Sequence, residues 1–369
     1  MNRLTRLSSE FGQSPWLDNL QRSYLTSGEL AQFRDRGVRG LTSNPTIFQK
    51  AISGSTDYDA QFADLVSGGT RDVDEHYWEL VLRDIHGACD VFHPTYVDTD
   101  GLDGYVSVEV DPGLAMDGGG TEQAARELHQ RIDRPNLMVK IPATVPGLPA
   151  IQRMIAEGRN TNVTLIFSLE RYEAVMEAYL TGLEELAGDP DADLSQVASV
   201  ASFFVSRADT EVDRRLEAIA TPDALALRGL AALTQAQLAY RRFREVFSGP
   251  RWEALAERGA RVQRPLWAST GTKNDDYSDV LYVDGLIGPD TVNTLPEATL
   301  EAFADHGTLE RTIDAHPDET DRVWAALAEV GIDMGEVAQQ LESEGVDSFQ
   351  KSFDELLTAL ESKADELRS

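Results

Sequence analysis

The chain is poor in cysteine and in positive charge. Its single cysteine, Cys89, excludes an intrachain disulfide framework and a cysteine-rich metal site. Against 63 Asp and Glu it sets only 33 Lys and Arg, a formal charge of −30. Nonspecific nucleic-acid binding needs a basic surface, so no nucleic-acid partner is expected. No apolar run is long enough to cross a bilayer, so no membrane partner is expected either. The first ten residues lack the apolar stretch of a signal peptide, which makes a cytoplasmic location the expectation. The 6 histidines, His76, His86, His93 and His129 among them, form neither His-x-x-x-His nor His-Glu-x-x-His, and no metal site is expected. Gly-x-Ser-x-Gly is absent, and no Gly-x-Gly-x-x-Gly follows an early strand.

What is present is an alternation of short strand-like runs with helical stretches, the pattern of an α/β protein. Strands are predicted at residues 14–19, 38–43, 105–110, 137–141, 162–167, 197–204, 265–270 and 290–294. The first and last draw partly on the family resemblance given below. Helices at 122–132, 148–157, 169–187 and 207–218 follow four of these strands. Eight such units predict a (β/α)8 TIM barrel, with an open doubly wound sheet as the alternative. Residues 44–105 hold additional helical stretches, including 73–91. After residue 294 come three acidic helical stretches with cores at 323–330, 334–344 and 353–367. The whole chain, 1–369, is read as one barrel domain, with 296–369 a helical extension packed on it as a cap.

In such a barrel, chemistry sits where strands end. Lys140 lies in Leu137-Met138-Val139-Lys140-Ile141-Pro142, an apolar run that stops at a proline. Alternation puts Met138 and Lys140 on one face and Val139 and Ile141 on the other. Desolvation lowers a lysine pKa and frees the amine lone pair for a Schiff base. A lysine snorkelling from a strand end fits the same segment. In residues 105–110, valines packed outward leave Ser107 and Glu109 facing inward, unless Glu109 is an edge charge or a structural ion-pair partner. In residues 162–167, Asn162 and Thr164 share one face, with Val163, Leu165 and Phe167 on the other. That pair fits sugar hydroxyls or a bound water, and equally a satisfied polar core. Asn44 precedes Pro45 and reads as a helix N-cap, which does not preclude substrate contact. Asp18, between apolar neighbours, is a candidate general base or a helix cap. Ser202 through Arg207 offers a serine and a forked cation for a phosphate, or an ordinary helix start with Ser206 as N-cap. The small, hydroxyl-rich loop 267–273 offers backbone N–H groups to an anion without being a nucleotide P-loop.

Taken together, these segments resemble the transaldolase family of class I, Schiff-base enzymes. The resemblance is carried by 16–20, 40–48 (Gly-Leu-Thr-Ser-Asn-Pro-Thr-Ile-Phe), 106–112 (Val-Ser-Val-Glu-Val-Asp-Pro), 137–144, 162–168 (Asn-Val-Thr-Leu-Ile-Phe-Ser), 202–207 and 267–270, in family order. The length and helical tail resemble a longer bacterial form. The resemblance implies a circularly permuted class I aldolase barrel with extra N-terminal and C-terminal helices. It implies transfer of a dihydroxyacetone unit between sugar phosphates of the pentose phosphate pathway, without a cofactor. It matches Lys140 to the Schiff-base lysine and Asp18 to the acid/base. Glu109 matches the carboxylate that acts through a water, and Thr164 the residue that helps hold that water. Asn44 and Asn162 match the amides on the dihydroxyacetone hydroxyls, Ser202 and Phe204 match site-lining residues, and Arg207 and Ser269 match the phosphate site. One departure stands out: where many members carry an arginine two residues after this serine, the chain has Gly271. Lys273 is the nearest replacement cation. A monomer or homodimer is expected. A fructose 6-phosphate aldolase-type activity and a noncatalytic sugar-phosphate-binding barrel are the alternatives.

Overall fold

The computed structural model describes residues 2–68 and 72–368. Eight strands close a barrel in chain order: β1 (Gln13–Leu17), β2 (Leu41–Thr42), β3 (Val106–Glu109), β4 (Leu137–Pro142), β5 (Thr161–Ile166), β6 (Ser199–Phe204), β7 (Arg264–Ala268) and β8 (Thr291–Leu295). Neighbours are parallel throughout, and β1 pairs with β8 over its full length. Every residue of β3 to β6 is buried, as in parallel sheets covered by helices. The expected TIM barrel is the observed fold, and all eight predicted strands form.

The differences are local. β2 contracts to two residues, although Arg39 and Ser43 still donate backbone bonds to Pro15 and Ser107. Gly40 is needed there: a Cβ would lie 2.7 Å from the Tyr105 carbonyl oxygen and 2.8 Å from the Trp16 ring. In β5 the register against β6 shifts between Val163 and Ile166, and Leu165 has φ +60°. That bulge breaks the expected alternation. Leu165 and Phe167 do not continue the outward face begun by Val163. Their side chains lie against Gly345 of the C-terminal helix, and the Phe167 ring is 5.0 Å from that of Phe204.

The tail also departs from expectation. The cores 334–344 and 353–367 belong to one 35-residue helix, Met334–Arg368, preceded by the helix Pro317–Glu329. At about 1.5 Å per residue the long helix reaches about 52 Å. Gly345 suggests an interruption, since glycine costs a helix about 1 kcal/mol. Tertiary packing outweighs that cost. Val337, Leu341, Phe349, Phe353, Leu356, Leu360 and Ala364 are buried at helical spacing, and Gly345 falls within this stripe, against Leu165 and Phe167. Thr46 and Ser352 hydroxyls are 2.8 Å apart, Arg215 bonds Gln340 at 2.8 Å, and Tyr77 meets Phe353 edge-on at 5.0 Å. The helix therefore runs across the C-terminal end of the barrel.

Candidate active site

Lys140 stands on β4 with Glu109 beside it on β3 and Asn162 on β5. All three point inward and are at most 5% exposed. An ammonium in such a place requires a partner. Its Nζ is 3.2 Å from Glu109 Oε2 and donates a 3.2 Å hydrogen bond to the Ser43 carbonyl. Burial pushes the Glu109 carboxyl above its ordinary value, while the Lys140 charge pulls it down. The Thr164 hydroxyl is buried without a hydrogen-bond partner among the described residues, and Glu109 Oε2 has Lys140 alone beside it.

Below Lys140 the barrel is spanned by a polar chain. Ser202 Oγ donates to Asn162 Oδ1 at 2.7 Å, and Asn162 Nδ2 donates to Ser107 Oγ at 3.0 Å. Asn162 is thereby fixed in one amide orientation beneath the lysine.

A cavity of about 360 Å3 opens above these groups. Asp18, Asn44, Lys140, Thr164, Ser202, Phe204, Arg207, Ser269 and Lys273 line it, nine of the eleven expected site residues. Glu109 and Asn162 are not on its wall; they lie one contact away, through Lys140 and Ser202. Asp18 follows β1 and accepts a 2.7 Å bond from Thr42 Oγ1. Burial raises its pKa, opposed first by that bond and then by the charges of Lys140, Lys273 and Arg207. Asn44 does cap the helix Pro45–Ser53, accepting from the Ile47 N–H at 3.0 Å, and it also faces the cavity.

Arg207 is the second residue of the helix Ser206–Ile219, which follows β6. Ser206 is not the N-cap; that position is Val205, and the Ser206 hydroxyl is instead 2.9 Å from Ser269 Oγ. The Arg207 guanidinium lies 5.5 Å from the Phe204 ring and 5.8 Å from the Phe349 ring. Burial pulls its pKa below the usual arginine value, against the charges of Glu109, Glu344 and Asp18. Ser269 has φ +57°, a conformation uncommon for residues other than glycine and frequent in anion-binding turns.

A family model described as Transaldolase/Fructose-6-phosphate aldolase matches residues 15–360. The chain belongs to this family. A transaldolase of Thermobifida fusca is 54% identical over 351 residues, covering 95% of each chain. Transaldolases of Mycobacterium ulcerans and Mycolicibacterium smegmatis are each 52% identical, covering 97% of this chain and 96% of theirs. At this identity and coverage the chain is an enzyme of the transferase class. Among the described residues no helix is long and apolar enough to cross a membrane, and no group of three or more His, Cys, Asp or Glu is arranged to hold a metal ion.

Several residues of this transaldolase-family cavity escape sequence reasoning. Thr42, whose hydroxyl touches both Asp18 and Thr294 at 2.7 Å, lies in the segment 40–48 but carries no signal of its own. Lys50 lines the cavity from the helix begun by Pro45. Ser348 and Phe349 arrive from the tail, about 140 residues beyond Arg207, so no local spacing could have connected them.

Proposed function

We propose that the protein is a transaldolase that moves a dihydroxyacetone unit from sedoheptulose 7-phosphate to glyceraldehyde 3-phosphate through an imine on Lys140. The observation that carries this is a buried lysine, paired with one carboxylate and exposed to a polar cavity that a second carboxylate enters. Lys140 must lose a proton before it attacks the ketose C2 carbonyl, and Glu109 is the acceptor at 3.2 Å. Its raised pKa makes it a better base than an exposed glutamate. A water shared by Glu109 Oε2 and Thr164 Oγ1 would relay that proton to the departing C2 hydroxyl.

With the imine formed, Asp18 removes the C4 hydroxyl proton. The C3–C4 bond breaks, its electrons pass to C3 and the imine nitrogen, and the aldose phosphate leaves. A three-carbon enamine stays on Lys140. Asn44 and Asn162 hold its hydroxyls, with Ser202 and Phe204 enclosing it. Glyceraldehyde 3-phosphate then enters, C3 attacks its aldehyde, and Asp18 returns the proton. Water releases fructose 6-phosphate and the free lysine. Arg207, Ser269 and Lys273 bind the phosphate. The imine is the electron sink, so this chemistry needs neither metal nor organic cofactor. We place the enzyme in the cytoplasm, as a monomer or homodimer acting on small sugar phosphates.

The family description also names an aldolase, which would release free dihydroxyacetone instead of retaining it. One experiment separates the two. Borohydride is added to the protein with fructose 6-phosphate and no acceptor, and peptides are weighed. A three-carbon adduct on Lys140 without accumulating dihydroxyacetone is the expected result. Dihydroxyacetone produced at the turnover rate would establish the aldolase, and no adduct on folded protein would remove the imine mechanism.

A further inference from the structure

We propose that Phe349 of the C-terminal helix is a positioning residue for the phosphate subsite, holding Arg207 against Phe204 so that its N–H donors remain free for the anion. The inference rests on the phosphate reading of Arg207 above.

Arg207 is a half-buried cation with an unusual set of neighbours. Among the described residues its guanidinium makes no ion pair and no hydrogen bond, in a chain with 63 acidic side chains. Almost every other buried or half-buried arginine here is committed: Arg22 to Asp84, Arg264 to Asp103, Arg171 to Glu342 and Arg215 to Glu211. What Arg207 has instead is two aromatic rings, Phe204 at 5.5 Å from the barrel and Phe349 at 5.8 Å from the tail. Both distances fall within the reach of a cation–π contact.

A ring attracts a guanidinium through its charge distribution but uses none of its five donors. An acidic partner would fix the side chain equally well and would occupy the donors that a phosphate needs. Two rings therefore restrain the arginine and leave its hydrogen-bonding capacity intact. That lowers the ordering cost paid when the anion binds.

The tail is built to deliver this ring. Phe349 is 4% exposed and itself lines the cavity. One turn earlier, Gly345 lets the helix approach until a Cβ there would meet Leu165 Cδ2 at 3.0 Å and Arg207 Nη1 at 3.6 Å. Three residues after Phe349, Ser352 is tied to Thr46 at 2.8 Å, two residues from the Asn44 cap. The helix thus links the phosphate end of the cavity to the end where Asn44 lies.

The test compares Phe349→Leu, which keeps apolar bulk without a π face, with Phe349→Tyr, which keeps the ring. For each, kcat/KM is measured with glyceraldehyde 3-phosphate and with unphosphorylated glyceraldehyde, and inorganic phosphate is titrated as a competitive inhibitor. Phe349→Leu is expected to lose about tenfold in preference for the phosphorylated acceptor, and its inhibition constant for phosphate to rise by a similar factor. Phe349→Tyr is expected to restore both. Equal losses with the two acceptors, an unchanged preference, or a tyrosine variant as poor as the leucine one would overturn the proposal. Arg207→Gln serves as the control on the underlying reading. If it retains the preference, the phosphate site lies elsewhere; if it loses the preference while Phe349→Leu does not, only the role of Phe349 fails.

Discussion

The hydroxyl of Thr42 lies 2.7 Å from Oδ1 of Asp18 and 2.7 Å from the hydroxyl of Thr294. Asp18 is thus held from the side by Thr42 of β2, which Thr294 of β8 in turn contacts, while burial works to protonate it. Thr42→Val removes the bond that lowers its pKa. The Asp18 pKa should rise further, so the acid limb of the kcat profile moves to higher pH. At neutral pH, kcat should fall, because a smaller fraction of Asp18 is ionised and able to accept the proton. A pH–rate profile that overlays the parent would show that this contact does not tune Asp18.

Asp18→Ala separates the two halves of the proposed reaction. In the proposed reaction imine formation depends on Lys140 and Glu109, so borohydride should still trap the full-length ketose on the variant. Carbon–carbon cleavage should be abolished. The mass of the adduct decides: a three-carbon species would place the acid/base elsewhere.

Glu109→Gln should act on the earlier half. The amide cannot take the Lys140 proton, and the ion pair at 3.2 Å is lost. Stopped-flow imine formation should slow about 100-fold or more, with little effect on cleavage once the imine exists. A variant slow only in cleavage would reverse the assignment of the two carboxylates.

Lys273 lines the cavity, and Gly271 presents no side-chain charge there. As a point charge, lysine lacks the bidentate geometry of arginine, so its contribution should be moderate. Lys273→Gln is expected to raise KM for glyceraldehyde 3-phosphate about tenfold, ~1.4 kcal/mol, with a smaller effect on kcat. An unchanged KM would direct attention to Lys50, which also lines the cavity.

Asp209 provides a stability test away from the chemistry. It is 2% exposed and accepts from the Ala232 N–H at 2.8 Å and the Tyr282 hydroxyl at 2.7 Å. Burial outweighs these bonds and pushes its pKa up from 3.8 to about 6. Between about pH 4 and 6 the folded protein therefore keeps a proton that the unfolded chain has lost. The contribution of this residue is fully present below pH 4 and declines as pH rises to 6, by at most about 3 kcal/mol. Asp209→Asn cannot titrate. In denaturant melts it should gain on the parent by about 1–3 kcal/mol between pH 4.5 and pH 7. A difference independent of pH would mean that the carboxyl is not perturbed.

The strand at residues 137–142 was legible because a period of two, ending at Pro142, is a local property of the chain. The same holds for the inward set of Glu109, Lys140, Asn162 and Thr164, and for the Asn44 cap before Pro45. The order of such segments was enough to suggest the barrel and, through resemblance, the family. Alternation failed at Leu165, where a bulge reassigns the face, since bulges depend on how a neighbouring strand pairs. It gave no hint of Thr42 beside Asp18, because that contact joins strands 24 residues apart only once the barrel closes.

The candidate site residues, and the periodic pattern that aims them inward, were legible in the sequence alone. Only the tertiary structure decided which groups meet: Lys140 with Glu109, Asn162 with Ser202, and Arg207 between Phe204 and Phe349. The reason is physical. Periodicity acts over a few residues through backbone geometry, whereas the environment of a buried charge is set by elements that pack together from distant parts of the chain. The tail makes the point most directly. Its acidic, helix-forming sequence reads as helices capping the barrel, and only packing across the barrel end places Phe349 in the cavity.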